Sequence, residues 1–140
     1  MDQHPLWREK MSIRETDDYH RLNLQDSDEL GQFDYLVNLG VAFGRNSGIE
    51  KAENRIRGCK TAIWVKLDCR KVTASSDSLV VLGLLAILTE MYDGQQAEMI
   101  RANPIRFLDV ISEQVVYPEV RENGIKKLYG ILSGSKEEQE

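Results

Sequence analysis

The period of apolar residues changes several times along the chain, and the changes outline its elements. Up to about Asn23 the sequence is polar, with Leu6, Trp7, Ile13, Tyr19 and Leu22 only loosely at helical spacing. Residues 1–25 therefore read as a polar N-terminal segment with a weak helix that tends to fray. Asp26 and Glu29 stand at capping-box spacing ahead of Leu30, Phe33, Leu36, Val37 and Gly40, which predicts an amphipathic helix ending near Gly40. Gly44-Arg45-Asn46-Ser47-Gly48 is rich in turn formers and opens a loop running toward Gly58.

From Ala62 the period falls to two, with Ile63, Val65 and Leu67 on one face and Trp64 and Lys66 on the other. A tight turn at Asp68 to Arg70 and renewed alternation at Val72 and Ala74 predict a short hairpin. Ser76 or Asp77 is placed to cap a long apolar helix that runs to about Tyr92 and stops at Asp93-Gly94. Further helices are signalled over Gln95 to Ile100, at Asn103-Pro104 as a cap and first turn, and from Pro118 to near Gly134. Lys136 to Glu140 form a charged tail. The order of elements predicts one α+β domain over residues 26–134, with a small antiparallel sheet and a short hairpin covered by several helices.

Composition narrows the function classes. With 140 residues, 41% hydrophobic and 29% charged, the chain has the balance of a single globular domain. Met1-Asp2-Gln3-His4-Pro5 has no basic stretch leading into an apolar one, and the run Leu79 to Leu88 is about half of a membrane span, so a cytoplasmic, membrane-free protein is expected. A net charge of −5 speaks against nucleic acid as a partner. The only histidines, His4 and His20, lie in the polar N-terminal stretch and no Cys-x-x-Cys spacing exists, so neither a metal nor a cofactor is expected. Phosphate-loop and Gly-x-Ser-x-Gly patterns are missing too.

What remains is Cys59. It lies in Arg55-Ile56-Arg57-Gly58-Cys59-Lys60-Thr61, inside a window from Lys51 to Lys71 that carries +5 in a chain otherwise summing to −10. Neighbouring cations lower a thiol pKa and promote the nucleophilic thiolate, and Gly58 allows a positive φ beside it. Two plainer explanations stand beside this one: an inert core cysteine, and a basic window that is the solvated face of the hairpin. Cys69, in the hairpin turn, is separated from Cys59 by an extended strand, on the order of 20 Å at ~3.3 Å per residue. A disulfide needs Cα atoms within ~7 Å, so Cys69 reads as a bystander.

Gly58-Cys59-Lys60-Thr61-Ala62-Ile63-Trp64, then Ser76-Asp77-Ser78 and Gly83-Leu84-Leu85-Ala86, resemble the SufE family of sulfur-acceptor proteins. That family typically reads Gly-Cys-x-Ser-x-Val-Trp, a hairpin, Asp-Ser-Asp-Ala and an apolar Lys-Gly-Leu helix. The likeness spans roughly Leu30 to Leu132 and includes Arg121 and Gly124 as the family's Arg-x-x-Gly. It departs at Thr61 for Ser, at Ser75 for the first Asp, at Leu82 for Lys, and in a shorter hairpin, changes that bear on partner choice more than on the chemistry.

The resemblance implies a SufE/NifU-like fold and a persulfide carrier, not a stand-alone enzyme. Cys59 would accept sulfane sulfur from a SufS-like, pyridoxal-phosphate-dependent cysteine desulfurase, activate that enzyme, and relay sulfur to an iron–sulfur scaffold or another acceptor. Gly58, Lys60, Thr61, Asp77 and Arg121 would support it, Arg121 by contacting the Cys59 loop. The cofactor belongs to the partner, and a homodimer is an open alternative. Two readings from other classes compete: a binding module that stimulates the desulfurase without carrying sulfur, and a thiol redox sensor or peroxidase.

Overall fold

The computed structural model describes residues 11–134; His4, Leu6, Trp7 and the Lys136 to Glu140 tail lie outside them. Helix α1 (Ile13–Gln25) is closed by a capping box, in which Glu15 N–H donates to Ser12 Oγ and Ser12 N–H to the Glu15 carboxylate. Its inward face carries Ile13, Thr16, Asp17, His20 and Leu24, and the polar members of that face explain the weak hydrophobic spacing. They are bonded across the core. Asp17 accepts from the Arg106 N–H, and His20 bridges the Tyr35 hydroxyl (2.8 Å) and the Glu90 carboxylate (2.9 Å).

Helix α2 (Glu29–Phe43) is capped two residues later than expected. Asp28 is the N-cap, accepting from Gly31 N–H, whereas Asp26 closes the end of α1. The face of α2 turned inward is Gln32, Leu36 and Gly40, while Leu30, Phe33 and Val41 are exposed. The reason lies in the crossing with α3 (Leu79–Tyr92), the apolar helix at the centre of the domain. A Cβ on Gly40 would overlap the carbonyl oxygen of Leu79, and one on Gly83 would overlap that of Leu36. Reciprocal glycines thus bring the two backbones together, which selects the four-residue ridge of α2 and leaves its other apolar positions outside.

Between these helices, two 3₁₀ turns (Ser47–Ile49 and Ala52–Asn54) lead to the hairpin of β1 (Ile63–Asp68) and β2 (Lys71–Ser76), antiparallel with Ile63 opposite Ser76 and Asp68 opposite Lys71. The two-residue turn places Cys69 and Arg70 at φ 50° and 66°, the sign that a tight hairpin requires. Neither is glycine. Compensation comes from Arg70, whose guanidinium donates to the carbonyls of Gln95 and Leu132, and whose own carbonyl accepts from Gly94 N–H. Ser78, not Ser76 or Asp77, caps α3 by accepting from Val81 N–H. Ser76 is still in the sheet, its hydroxyl donating to the Ala62 carbonyl.

Helix α4 (Ala97–Ala102) ends at Asn103, so Asn103-Pro104 terminates a helix and does not begin one; a 3₁₀ turn follows at Phe107–Val110. Pro118 does open a helix, α5 (Pro118–Val120), which passes through a π-helical turn (Arg121–Ile125) into α6 (Lys126–Leu132). The result is an α+β fold whose two-stranded sheet packs against α3. Among the described residues no helix is long and apolar enough to cross a membrane.

The glycine crossing yields a direct expectation. Gly83→Ala should destabilise the domain by about 3 kcal/mol, at the upper end of the ~1–3 kcal/mol of ordinary overpacking because the obstacle is backbone. Urea denaturation would read it, and a loss below about 0.5 kcal/mol would contradict the close crossing.

Candidate functional site

The segment from Arg55 to Trp64 is a loop closed at its base, where Arg55 bridges to Trp64 and Ile56 N–H donates to the Ile63 carbonyl. The Arg55 guanidinium also stacks over the Trp64 ring at 5.6 Å, stiffening the base. Gly58 sits at φ 84°, the left-handed region that glycine enters without strain, and this turns Cys59 inward. Cys59 is only 5% exposed. Cys59 lies between loop and strand, and the C-terminal helix covers it, so of the two readings open from the sequence its burial fits the core cysteine.

That cover is built from three points. Glu119 in α5 accepts from Lys60 N–H through Oε2 at 2.9 Å, and its Oε1 lies 3.8 Å from Cys59 Sγ, within reach of the thiol proton. Gly124 in the π turn packs on the sulfur so closely that a Cβ there would lie 3.1 Å from Sγ and 2.8 Å from Ile63 Cδ1. Lys127 in α6 donates from Nζ to the Arg57 carbonyl at 2.7 Å. Asn123 steadies the carboxylate, with Nδ2 3.3 Å from Glu119 Oε2.

The electrostatics reverse the expected activation. Burial pushes the Cys59 thiol above its ordinary pKa; the Thr61 N–H lowers it, the charge and hydrogen bond of Glu119 raise it, and Arg55 lowers it least. Lys60 and Arg57 are exposed, so the basic window is largely a solvated surface and does not make a thiolate of the closed cysteine. The Glu119 carboxyl is held below its usual range, first by the Lys60 N–H. Thiol and carboxylate are therefore the resting pair at neutral pH.

The remaining site residues fall in different places. Thr61, whose N–H favours the ionised Sγ, lines an open cleft of about 180 Å³ with Phe33, Ser78, Val80 and Tyr117, bordering the loop. Asp77 is exposed at the start of the turn into α3, its charge felt by Arg45. Arg121 does not reach the Cys59 loop: its guanidinium donates to the carbonyls of Leu108, Ile111, Ser112 and Val116 and fastens the segment that precedes α5. Cys69 is an exposed free thiol at the far end of β1. Among the described residues no cluster of His, Cys, Asp and Glu could hold a metal ion.

Sequence reasoning missed Glu119, Asn123 and Lys127. An acidic residue just after a helix-opening proline is ordinary complementarity to the helix dipole, and nothing in its spacing announces a partner sixty positions earlier. The Gly124 signal was present only as part of the Arg-x-x-Gly pattern.

Comparison with known protein families matches residues 21–133 of the 140 to SufE, the Fe-S metabolism associated domain. The chain belongs to the SufE family, and its role lies in iron–sulfur metabolism.

The departure at Ser75 has a local cause in this chain. Its buried hydroxyl donates to Glu50 Oε2 at 2.7 Å and accepts from Asn46 N–H, and Glu50 in turn holds Arg45. Ser75→Asp, which restores the residue typical of the family, would set a second carboxylate against Glu50. It should cost about 2 kcal/mol or more in a denaturant titration, and a variant as stable as the parent would contradict this assignment.

Proposed function

We propose that this SufE-family protein is a persulfide carrier, with Cys59 taking sulfane sulfur from a cysteine desulfurase and passing it to an iron–sulfur scaffold or other acceptor. The observation that carries the reading is the pocket around Cys59: a lone thiol at the tip of a loop, roofed by Gly124 and Glu119 and shielded from solvent. A thiol that waits for a sulfur donor has to be kept from bulk oxidants until the donor arrives, and this enclosure serves that need.

Transfer is thiol exchange. The Cys59 thiol gives up its proton, the thiolate attacks the outer sulfur of the donor's cysteine persulfide, a new S–S bond forms on Cys59, and the donor cysteine leaves as a thiolate that takes a proton. One sulfur moves without net oxidation or reduction. The closed loop must open first, since the donor sulfur needs an unobstructed line to Sγ. Few bonds hold it, chiefly those from the Lys60 N–H to Glu119 and from Lys127 to the Arg57 carbonyl, and Gly58 offers a pivot. Once outward, the thiol meets the exposed Arg55, Arg57 and Lys60, which lower its pKa and favour the anionic persulfide. Exposed Phe33 and Tyr117 at the neighbouring cleft supply apolar area for a protein partner.

The depth of Cys59 also supports a second reading, a binding module that stimulates the desulfurase with no sulfur on the thiol. A redox sensor has less support, because Cys69 lies beyond the whole of β1 and offers no resolving thiol.

Incubation with cysteine and a desulfurase from the same source, followed by peptide mass spectrometry, separates these readings. One added sulfur is expected on Cys59 and none on Cys69, with loading abolished in Cys59→Ser and retained in Cys69→Ser. Desulfurase stimulation that survives Cys59→Ser, with wild type unmodified during turnover, would select the binding module.

A further inference from the structure

Among the described residues, every hydrogen bond of the Glu119 side chain goes to the Cys59 loop or to Asn123 beside it. Its carboxylate meets Lys60 N–H, the Cys59 thiol and Asn123, and no other hydrogen bond from the side chain is needed to explain its position. It is half-buried beside a sulfur that is already desolvated, and the Lys60 N–H and the Asn123 amide favour its charged form there.

We propose that Glu119 is a positioning residue that latches Cys59: by accepting from both the Lys60 N–H and the thiol, it holds the sulfur inward and protonated until a partner draws the loop away. The charged groups around Sγ are Glu119 from α5 and Arg55 from the base of the loop, with the Lys60 side chain exposed to solvent and Lys127 from α6 engaged by the Arg57 carbonyl. Of these the carboxylate alone makes a bond to the sulfur, so it sets the sign of the local field on the thiol. Ionising Cys59 in place would set two negative charges 3.8 Å apart.

The latch also discriminates between empty and loaded cysteine. An outer sulfur sits about 2.05 Å beyond Sγ. On one side that atom meets the Gly124 backbone, and on the other the Glu119 carboxylate, which repels a persulfide anion. The closed pocket therefore accepts the thiol and rejects its loaded form. This meaning for sulfur transfer rests on the carrier function proposed above, whereas the latch is a property of the thiol alone and is tested with no sulfur donor.

The test is site-resolved alkylation of the full chain by iodoacetamide across a pH series, with the Cys59 and Cys69 peptides quantified separately. In the wild type, Cys59 should lag the exposed Cys69 at pH 7, and its rate should climb only as pH rises past the ordinary thiol range, because a raised pKa delays the thiolate. Glu119→Gln keeps an oxygen for the Lys60 N–H but removes the charge. Its Cys59 midpoint should fall by about one pH unit, which is about tenfold more thiolate and a tenfold faster reaction at pH 7, with Cys69 unchanged. Should that variant fail to fold, Glu119→Ala gives the same reading. A faster reaction with an unmoved midpoint would make Glu119 mere packing and overturn the latch, as would a profile identical to wild type. If the midpoint falls as expected yet Cys59 never takes up sulfur from a desulfurase, the latch stands and the carrier function fails.

Discussion

A single irregular turn in the C-terminal helix governs the environment of the Cys59 sulfur. Where α5 passes into α6 the backbone widens into a π turn, and this sets Gly124 directly on Cys59 Sγ. A Cβ at that position would press on the sulfur at 3.1 Å and on Ile63 Cδ1 at 2.8 Å, so that one of them would have to shift. The same turn fixes Glu119 one side of it and Lys127 the other, so that both reach the loop that carries the cysteine. Arg121, within the turn, contributes from behind by binding four carbonyls of the preceding segment, which is how a residue far from the thiol holds its cover in place.

The C-terminal helix also holds β1 along its length. At the start of the strand, Glu119 and Gly124 close on Cys59; at the hairpin tip, Arg70 donates to the Leu132 carbonyl at the end of α6. Strand and helix are thereby tied at both ends, and the tip bond helps to sustain a turn with two non-glycine residues at positive φ. Behind the sheet, α3 provides a rigid apolar floor, and the Gly40 and Gly83 crossing packs α2 onto it. Against that rigid floor, the loop from Arg57 to Lys60 is held by a handful of polar bonds, which makes it the element best suited to move.

Much of this was legible in the sequence because it rests on local patterns. The alternation from Ile63 to Leu67, the apolar run that became α3, the helix-opening Pro118 and the positive φ of Gly58 each follow from period or residue type. Caps slipped by two residues where several candidates lie in a row, as at Asp26 and Asp28 or Ser76 and Ser78, since only the sheet register and the end of α1 decide between them. α1 was hardest to read because its buried face includes Asp17 and His20, whose partners Arg106 and Glu90 are remote in sequence. At the site, the cysteine and its glycine were evident, but charge counting gave the wrong sign for the thiol. The neighbours in sequence are cations facing water, and the neighbour in space is a carboxylate.

Cys59 is closed in the free protein, and the proposed carrier function requires its release. Hydrogen exchange at the Lys60 amide, followed by NMR or mass spectrometry with and without the desulfurase, reads that release most directly, because this N–H is the one bound to Glu119. Protection in the free chain that is lost when the desulfurase is added is the expected result. An amide that stays protected while sulfur accumulates on Cys59 would contradict the account.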